Sequence, residues 1–509
     1  MVSHVRSLGL FGIEGYEVTV ECDLSGGLPA FDVVGLPDAA VKESRERVRS
    51  AIKNCGYGFP SRRITVNLAP ADTKKVGSVY DLPILLSILH ASGSLDAIPE
   101  DSAFVGEVAL DGTLRPCVGA LPMASAAVHL GIGTLYCPAD SAYEASLAGD
   151  LTVYPVRNVT ELLAHLGGKM KLSAVDPAAN VMHSASELHV PDFSDVMGQE
   201  NAKRAIEIAA AGSHNLLLIG PPGAGKSMLA SRIPGILPDM TKKEALDATK
   251  IHSVSGLTSK SNPILTVRPF RAPHHTISAV ALAGGGSVPR PGEISLAHNG
   301  VLFLDEFPEF DSDALEILRQ PLENGQVTIS RVSGTITYPA RFMLVCAMNP
   351  CKCGWHGHPS GRCTCSEKAV EAYQRKISGP LLDRIDMHIE VPPVKYDELR
   401  RRDPAEPSAA IKQRVEAART LQYKRFEGTD ITCNAYIPPS MLRDVCCIEN
   451  DAVHFMEASF SRMGLTARSH DRILRVARTI ADLAGSESIS IEHLAESFQY
   501  RCFDRQNRF

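Results

Sequence analysis

The pattern of apolar and polar positions in residues 1–166 predicts a mixed α/β domain. Several segments are rich in Val and Ile and are bounded by Gly or Pro, which is typical of strands. Elsewhere apolar residues recur near the 3.6-residue spacing of a helix, most clearly in the run that Gly56 ends. The predicted strands are residues 17–24, 31–36, 63–70 and 103–112, and the predicted helices are residues 38–56, 82–93 and 122–131.

The rest of the chain divides into a linker, a second α/β region and a helical region. Residues 167–191 show no clear period and predict a linker. Residues 192–392 contain short continuous apolar runs, which are typical of buried parallel strands. Residues 393–509 have helical spacing and predict a small helical domain. Its clearest helices are residues 409–426 and 469–485.

Length and charge bound the class of protein. A chain of 509 residues corresponds to about three domains, and its 44% apolar content is average for a globular protein. The net charge of −6 is unevenly distributed, because residues 1–166 hold 12 Lys and Arg against 19 Asp and Glu. The remainder is close to neutral, so composition permits a nucleic-acid partner without predicting one.

Hydropathy predicts a cytoplasmic protein that does not cross a membrane. No apolar run reaches the roughly 18 residues that a spanning helix needs. The N-terminal segment lacks a basic stretch followed by an apolar core, so it does not resemble a secretory signal.

A glycine-rich segment after a buried strand predicts a nucleotide site. Residues 216–219 form the apolar strand, and residues 220–227 then fit the pattern G-x-x-x-x-G-K-[ST]. Glycines let backbone N–H groups converge on phosphate oxygens, and the following helix N-terminus adds its dipole. Lys226 is expected to reach the β- and γ-phosphates, and the Ser227 hydroxyl is expected to bind Mg²⁺. The residues expected to hold ATP are Gly220, Pro221, Pro222, Gly223, Ala224, Gly225, Lys226, Ser227 and Met228.

Two further strands end in polar side chains that suit ATP hydrolysis. The apolar run 301–304 ends in Asp305 and Glu306, and the run that begins near residue 341 ends in Asn349. Because the carboxyl ends of parallel strands face the ligand crevice, we expect these side chains beside the phosphates. Asp305 suits the Mg²⁺ shell, Glu306 suits polarising the attacking water, and Asn349 suits orienting that water. The alternative is that Asp305 and Glu306 only solvate a turn at the strand end, and that Asn349 only forms a turn before Pro350.

Four clustered cysteines predict a metal site. Two C-x-C pairs are joined by a nine-residue loop, and four thiolates can converge on a tetrahedral Zn²⁺. His356 or His358 could replace one thiolate, and the alternative is a set of reduced thiols without metal. A catalytic metal is disfavoured because four thiolates close the coordination sphere. The cysteines are Cys351, Cys353, Cys363 and Cys365.

With these motifs together, the chain resembles the magnesium-chelatase-like AAA+ ATPases of the ComM and YifB type. The segments that carry the resemblance most specifically are residues 268–306, 347–354, 378–391 and 466–483. The resemblance implies an α/β fold: an AAA+ P-loop ATPase core with a C-terminal helical lid, preceded by an α+β Lon-protease-like domain. It also implies ATP and Mg²⁺ as cofactors.

The resemblance assigns further residues. Arg384 resembles an arginine finger that reaches a neighbouring subunit's γ-phosphate, and Arg468 resembles a second sensor in the lid; this implies a homo-oligomer, most simply a hexameric ring. Residues 268–298, with a glycine run at 284–286, resemble an inserted flexible loop. Residues 325–340 resemble a pore hairpin with Ser333 and Gly334 near its tip. The alternative is that both segments are simple exposed loops.

The same resemblance raises, and then disfavours, a peptidase. The catalytic Ser of Lon-type proteases falls on Asp81, and its Lys partner falls on Pro122. Proline cannot transfer a proton, so the Ser–Lys dyad is absent. The N-terminal domain is therefore expected to be catalytically inactive.

Three functions remain open at this point. The leading hypothesis is an ATP-driven motor on single-stranded or branched DNA, a helicase or branch-migration factor in the uptake and recombination of transforming DNA. The alternative is a chelatase-type ATPase subunit that remodels a protein partner for metal insertion into a porphyrin. The third, an ATP-dependent peptidase, is disfavoured by Asp81 and Pro122.

Overall fold

The chain folds into two compact units. In the computed structural model, residues 2–177, 190–286, 289–331, 334–393, 405–463 and 465–501 are described. The first unit consists of Met1–Glu187 with Lys242–Thr266, and the second consists of Leu188–Thr241 with Val267–Phe509. None of the helices in these described stretches is both long and apolar enough to pass through a bilayer.

The elements are numbered along the chain. The strands are β1 (Ser3–Phe11), β2 (Glu14–Ser25), β3 (Ala30–Val34), β4 (Arg63–Ala69), β5 (Ser102–Phe104), β6 (Glu107–Val108), β7 (Leu114–Arg115), β8 (Thr134–Pro138), β9 (Thr152–Val156), β10 (Leu216–Ile219), β11 (Phe270–Arg271), β12 (Gly284–Gly285), β13 (Arg290–Pro291), β14 (Val301–Leu304), β15 (Gln326–Arg331), β16 (Gly334–Pro339), β17 (Met343–Met348) and β18 (Met387–Glu390).

The helices follow the same numbering. They are α1 (Ala39–Asn54), α2 (Asp81–Ala91), α3 (Ala120–His129), α4 (Ala139–Ser146), α5 (Val159–Leu166), α6 (Glu200–Gly212), α7 (Lys226–Ala230), α8 (Lys242–Val254), α9 (Ala279–Ala283), α10 (Glu293–Leu296), α11 (Ser312–Ile317), α12 (Arg319–Asn324), α13 (Glu367–Gln374), α14 (Gly379–Leu382), α15 (Ser408–Arg425), α16 (Leu442–Val445), α17 (Asn450–Met463), α18 (Ala467–Leu483) and α19 (Ile491–Gln499).

The first unit is built on a mixed seven-stranded sheet in the order β3-β4-β2-β1-β5-β8-β9. β1, β2 and β4 pair antiparallel, whereas β5, β8 and β9 pair parallel. The strands predicted at residues 17–24, 31–36 and 63–70 are confirmed as parts of β2, β3 and β4.

The single strand predicted over residues 103–112 is wrong. The chain forms β5 and then β6, which belong to different sheets. Gly106 separates them with a φ of +154°, a value that side chains disfavour, and a Cβ there would lie 3.1 Å from Leu114 Cδ2. The predicted strand is therefore interrupted at a glycine that the Leu114 side chain on β7 approaches closely.

The three helices predicted in the first unit are confirmed as α1, α2 and α3. α1 is capped by Asp38, whose carboxylate accepts a hydrogen bond from the Val41 N–H at 2.8 Å. Val41, Val48 and Ile52 are buried along one face, as the helical spacing predicts.

Residues 242–266 pack within the first unit, although the sequence boundaries assign them to the second α/β region. The buried carboxylate of Glu144 on α4 explains part of this placement. It accepts hydrogen bonds from Ser253 Oγ at 2.5 Å and from Thr258 Oγ1 at 2.7 Å. A buried carboxylate needs such donors, and this segment supplies two of them.

The second unit contains a parallel five-stranded sheet in the order β11-β14-β17-β10-β18. β10 lies between β17 and β18, with Leu216 opposite Val345 and Met387. The strands predicted before the glycine-rich segment, before Asp305 and before Asn349 are confirmed as β10, β14 and β17. All five carboxyl ends therefore lie along one edge of the sheet.

The C-terminal part of the second unit is helical, as predicted. The helices predicted at residues 409–426 and 469–485 are confirmed as α15 and α18. The predicted linker shows neither helix nor strand over residues 167–177, and its residues 178–189 lie outside the described chain. The predicted flexible glycine loop is partly regular, because Gly284 and Gly285 pair with β13 as strand β12.

Candidate nucleotide-binding site

The glycine-rich segment leaves the end of β10 as a tight loop. Gly220 must lack a side chain because a Cβ there would lie 2.3 Å from the Val391 carbonyl oxygen. Gly223 and Gly225 have φ values of +77° and +88°, the left-handed region that favours glycine. α7 then begins at Lys226. The loop is thus shaped by the backbone of its neighbour and by its own glycines.

Lys226 is folded onto this loop. Its ammonium donates to the carbonyl oxygens of Gly220 at 2.8 Å and Pro221 at 3.0 Å, and to Asn349 Oδ1 at 3.1 Å. Burial lowers the pKa of Lys226, and the charge of Asp305 opposes that shift. Exchange of these neutral acceptors for phosphate oxygens would strengthen each hydrogen bond.

Ser227 and Asp305 form the oxygen pair expected at a magnesium site. Ser227 Oγ donates to Asp305 Oδ2 at 2.5 Å. Mg²⁺ prefers hard oxygen ligands and is commonly held by one or two protein groups together with phosphate oxygens. The Ser227 hydroxyl on α7 and the Asp305 carboxylate after β14 are therefore oxygen donors that fit Mg²⁺.

One open pocket of about 370 Å³ brings most of the predicted residues together. Residues from the ends of β10, β14 and β17 surround it, as the parallel sheet requires. Its lining residues are Pro222, Gly223, Ala224, Gly225, Lys226, Ser227, Met228, Asp305, Glu306, Met348 and Asn349.

The sequence did not indicate a partner of Glu306 that the structure reveals. Glu306 has a left-handed φ of 52°, and its Oε2 lies 3.0 Å from His275 Nδ1. The His275 ring packs against His274, with ring centroids 4.1 Å apart. His275 closely follows β11, whose two residues are too few for a periodic signal. Its position near the carboxyl end of that strand would have been the only clue.

Arg384 and Arg468 do not line this pocket. The Arg384 carbonyl accepts from Asn215 Nδ2 at 3.0 Å, and Asn215 directly precedes β10. Arg384 therefore lies at the amino ends of the strands, the edge opposite the pocket. Its guanidinium pairs with Glu323 and donates to the Pro380 carbonyl at 2.5 Å. Arg468 is exposed in the first turn of α18.

The four clustered cysteines converge. The Cys351 Sγ lies 3.3 Å from the Cys353 Sγ and 3.8 Å from the Cys363 Sγ, and the Cys353 and Cys363 sulfurs are 3.6 Å apart. All four thiols lie within 4.8 Å of one another. Zn–S bonds of about 2.3 Å in a tetrahedron place sulfurs about 3.8 Å apart. The thiol group fits a metal ion of the zinc class.

Two short hairpins of the second unit pack together. Tyr338 Oη on β16 donates to the Pro289 carbonyl at 2.9 Å, beside β13. A Cβ on Gly285 of β12 would lie 3.3 Å from Arg331 Nη2 at the end of β15. The predicted hairpin is confirmed by β15 and β16, but Ser333 of its predicted tip lies outside the described residues.

Asp81 in the first unit is a buried structural acid. Its carboxylate accepts from Arg47 Nε at 2.7 Å and from the Ser44 hydroxyl, and its side chain has no exposure to solvent. Pro122 lies in the first turn of α3 and brings no titratable group. This environment holds Asp81 as a partner of Arg47 and closes it to a substrate.

Family models match most of the chain. A model described as magnesium chelatase, subunit ChlI, matches residues 192–399. A model for subunit ChlI of Mg-chelatase matches residues 20–141, and one for the ChlI C-terminal part matches residues 405–501.

Two individual relatives are similar over nearly the whole length of the chain, and a third is similar over a shorter part. A protein called YifB from Escherichia coli is 44% identical over 99% of this chain and 98% of its own. The competence protein ComM of Haemophilus influenzae is 43% identical over 98% of this chain and 97% of its own. The magnesium-chelatase 38 kDa subunit of Rhodobacter capsulatus is 23% identical over 59% of this chain and 84% of its own. The chain therefore belongs to the magnesium-chelatase-like family, in its ComM and YifB group.

Proposed function

We propose that this protein is an ATP-hydrolysing AAA+ ring motor that acts on DNA, a helicase or branch-migration factor. The observation that supports ATP hydrolysis is the single pocket that gathers Lys226, the Ser227–Asp305 pair, Glu306 and Asn349. DNA as the substrate is supported by full-length similarity to a competence protein. We propose a role in DNA uptake and recombination on that similarity, and no single residue carries this part of the proposal.

The pocket residues divide the chemistry among them. Lys226 would exchange its carbonyl acceptors for β- and γ-phosphate oxygens. Ser227 and Asp305 would hold Mg²⁺, which supplies charge neutralisation when bound. Glu306 would accept the proton of the attacking water, and Asn349 would orient that water. Asn349 already reaches the Lys226 ammonium, so it lies beside the predicted phosphate position.

The position of Arg384 supports action across a subunit boundary. It lies at the sheet edge opposite its own pocket, so it could reach a γ-phosphate only in a neighbouring copy. An arginine supplied in trans stabilises transition-state charge and makes turnover depend on assembly. We assign Arg384 this role in a hexameric ring, and we assign Arg468 to nucleotide contact from the lid.

The accessory regions of the chain fit the same function. The packed hairpins with Arg290 and Arg331, both exposed, would face DNA in the pore. The first unit would act as an inactive Lon-like scaffold, since Asp81 is buried against Arg47. The four thiols would hold a structural Zn²⁺.

A chelatase-type ATPase is the second candidate function. Similarity to the magnesium-chelatase 38 kDa subunit supports it, but that match leaves much of this chain uncovered. In this case the same ATPase pocket would drive a protein partner that inserts a metal into a porphyrin. A peptidase is not proposed, because Asp81 is buried and Pro122 cannot transfer a proton.

The test is ATP hydrolysis by the full chain alone, with single-stranded DNA and with forked DNA, followed by a strand-displacement assay. The motor predicts faster hydrolysis with DNA and ATP-dependent displacement of a strand. Absence of both effects would contradict the DNA motor. Stimulation by a porphyrin-metallating partner instead would favour the chelatase-type function.

A further inference from the structure

The cysteine loop packs directly on the glycine-rich phosphate loop. Gly354, between the first cysteine pair and Trp355, is buried. A Cβ at this position would lie 2.5 Å from Pro222 Cδ and 3.7 Å from Asn349 Cγ. Pro222 and Asn349 both line the nucleotide pocket. The loop that carries the thiols therefore forms part of the wall behind that pocket.

The turn that makes this contact is also the turn that holds two of the thiols. The Gly354 N–H donates to the Cys351 carbonyl at 2.9 Å, so residues 351–354 close a tight turn. Cys351 is buried and follows Asn349 by only two residues. A change in the position of the Cys351 and Cys353 sulfurs would thus reach Asn349 along a short stretch of backbone, and Pro222 through its packing contact with Gly354.

α13 braces the same point from the other side. Gln374 Nε2 donates to the Pro350 carbonyl at 3.1 Å. Tyr373 beside it is buried, and burial raises its pKa, opposed by a hydrogen bond with the Asn349 backbone. α13 begins at Glu367, two residues after Cys365, with Ser366 as its N-cap. Both ends of the cysteine loop are therefore anchored at the junction between β17 and the pocket.

Most of the loop between the thiols is exposed to solvent. Residues 356, 357 and 359–362 are exposed, so burial of apolar surface contributes little to the order of this stretch. A metal ion bound by the four cysteine thiolates would hold this stretch in one conformation, because metal ligation can replace a hydrophobic core in a short segment.

We propose that a zinc-class metal ion on Cys351, Cys353, Cys363 and Cys365 acts as a strut that holds Pro222 and Asn349 in place for nucleotide turnover. The proposal rests on the proposed ATPase function. Metal loading then sets the shape of the nucleotide pocket from outside it, and Gly354 is a positioning residue that acts through Pro222.

Metal content is the first test. Purified wild-type protein should carry one zinc per chain by elemental analysis, and Cys353→Ser or Cys363→Ser should lose it. Cys447→Ser is the matched control, because this exposed thiol lies outside the cluster. Equal zinc in wild type and in both cluster variants, or none in wild type, would overturn the metal site.

The coupling is tested by two alanine variants of one loop. Gly354 and Gly357 both have left-handed φ values, +83° and +74°, so alanine strains the backbone similarly at each. Only Gly354 faces Pro222, since nothing lies within 4 Å of a Cβ on Gly357. Both variants should retain zinc, whereas ATP turnover should fall about 100-fold in Gly354→Ala alone, as expected for misplaced reactive groups.

Nucleotide affinity separates failure of the strut from failure of the ATPase. Trp355 is the chain's single tryptophan and lies next to Gly354, so its fluorescence should respond to a non-hydrolysable ATP analogue in wild type and in Gly357→Ala. In Gly354→Ala both the response and the affinity should weaken. If wild type hydrolyses no ATP, the ATPase proposal fails, while the affinity difference still decides the strut. Equal affinity and equal turnover in the two glycine variants, or wild-type turnover in a folded, zinc-free Cys353→Ser, would overturn the strut.

Discussion

At the residue scale, the pocket is organised by short contacts among side chains from three strands. Lys226 reaches Asn349, and Ser227 reaches Asp305, so β10, β17 and β14 each supply a partner. These contacts follow from motif and strand position, and the sequence predicted the residues involved. The His275–Glu306 contact was not predicted, because it joins positions far apart in the chain and depends on the register of a two-residue strand.

Glu306→Gln should bind ATP and lose turnover. The amide keeps the size of the side chain but cannot accept a proton, and loss of a general base typically costs about 10²–10⁴-fold in rate. Glu309→Gln is the matched control, because Glu309 lies in the same turn and pairs with Lys376 away from the pocket. Phosphate release and binding of a fluorescent ATP analogue are measured for both variants. Normal turnover in Glu306→Gln would remove this residue from the reaction.

At the element scale, buried strands were easier to predict than partly polar ones. β10, β14 and β17 are continuous apolar runs that are buried at every position, so the sequence pattern predicts them directly. The sequence pattern does not predict β1, because the polar residues Ser3 and Ser7 occupy buried positions on it. Ser7 Oγ donates to the Phe104 carbonyl at 2.9 Å, and Ser3 Oγ bonds His90 at 2.8 Å. At these buried positions small hydrogen-bonded side chains stand where an apolar residue would be expected, so the alternating pattern of a strand is lost.

The same scale explains how α18 is fixed among its neighbours. The Asp482 carboxylate is fully buried and pairs with Arg425 at 2.5 Å and with Arg478 at 3.0 Å. It also accepts from Asn434 Nδ2 at 2.8 Å. The helical spacing of apolar residues predicts this helix. It does not predict that the buried Asp482 pairs with Arg478 on the same helix and with Arg425 on α15.

Asp482→Ala should destabilise the second unit by about 3–5 kcal/mol, because it leaves the buried Arg478 without its carboxylate partner. Asp471→Ala on the same helix is the control. Its carboxylate is more exposed than that of Asp482 and lies 3.2 Å from His470 Nδ1, so the loss should stay below about 1 kcal/mol. Urea unfolding followed by circular dichroism gives both values. Equal midpoints for the two variants would contradict a stabilising role for the Asp482 cluster.

At the scale of the whole molecule, the charge of the chain is carried by the first 166 residues, with 12 basic against 19 acidic side chains. Residues 167–509 are near neutral, with 40 basic against 39 acidic side chains. A net charge of −6 therefore says little about whether a ring of such cores could hold DNA.

Arg384→Ala should retain ATP affinity and lose turnover, since its role is assigned to a neighbouring pocket. Mixing it with Lys226→Ala subunits should partly restore turnover, because some interfaces then combine an intact pocket with an intact Arg384. Arg375→Ala is the control, being an exposed arginine that pairs with Glu371. Thermal unfolding of each variant checks that loss of the Glu323 pair leaves the fold intact. Failure of every mixture to recover activity would contradict action in trans.

Residues 242–266 belong to the first unit, so the two units alternate along the sequence instead of following one another. A nick at a protease site placed between residues 178 and 187 should therefore leave both fragments together in native gel filtration, and only denaturant should part them. Separation under native conditions would contradict this packing. A core expressed from residue 188 would carry the buried apolar side chains Ala248 and Ile251 of α8 without the partners that cover them. The first unit is therefore complete only when residues 242–266 are expressed with it.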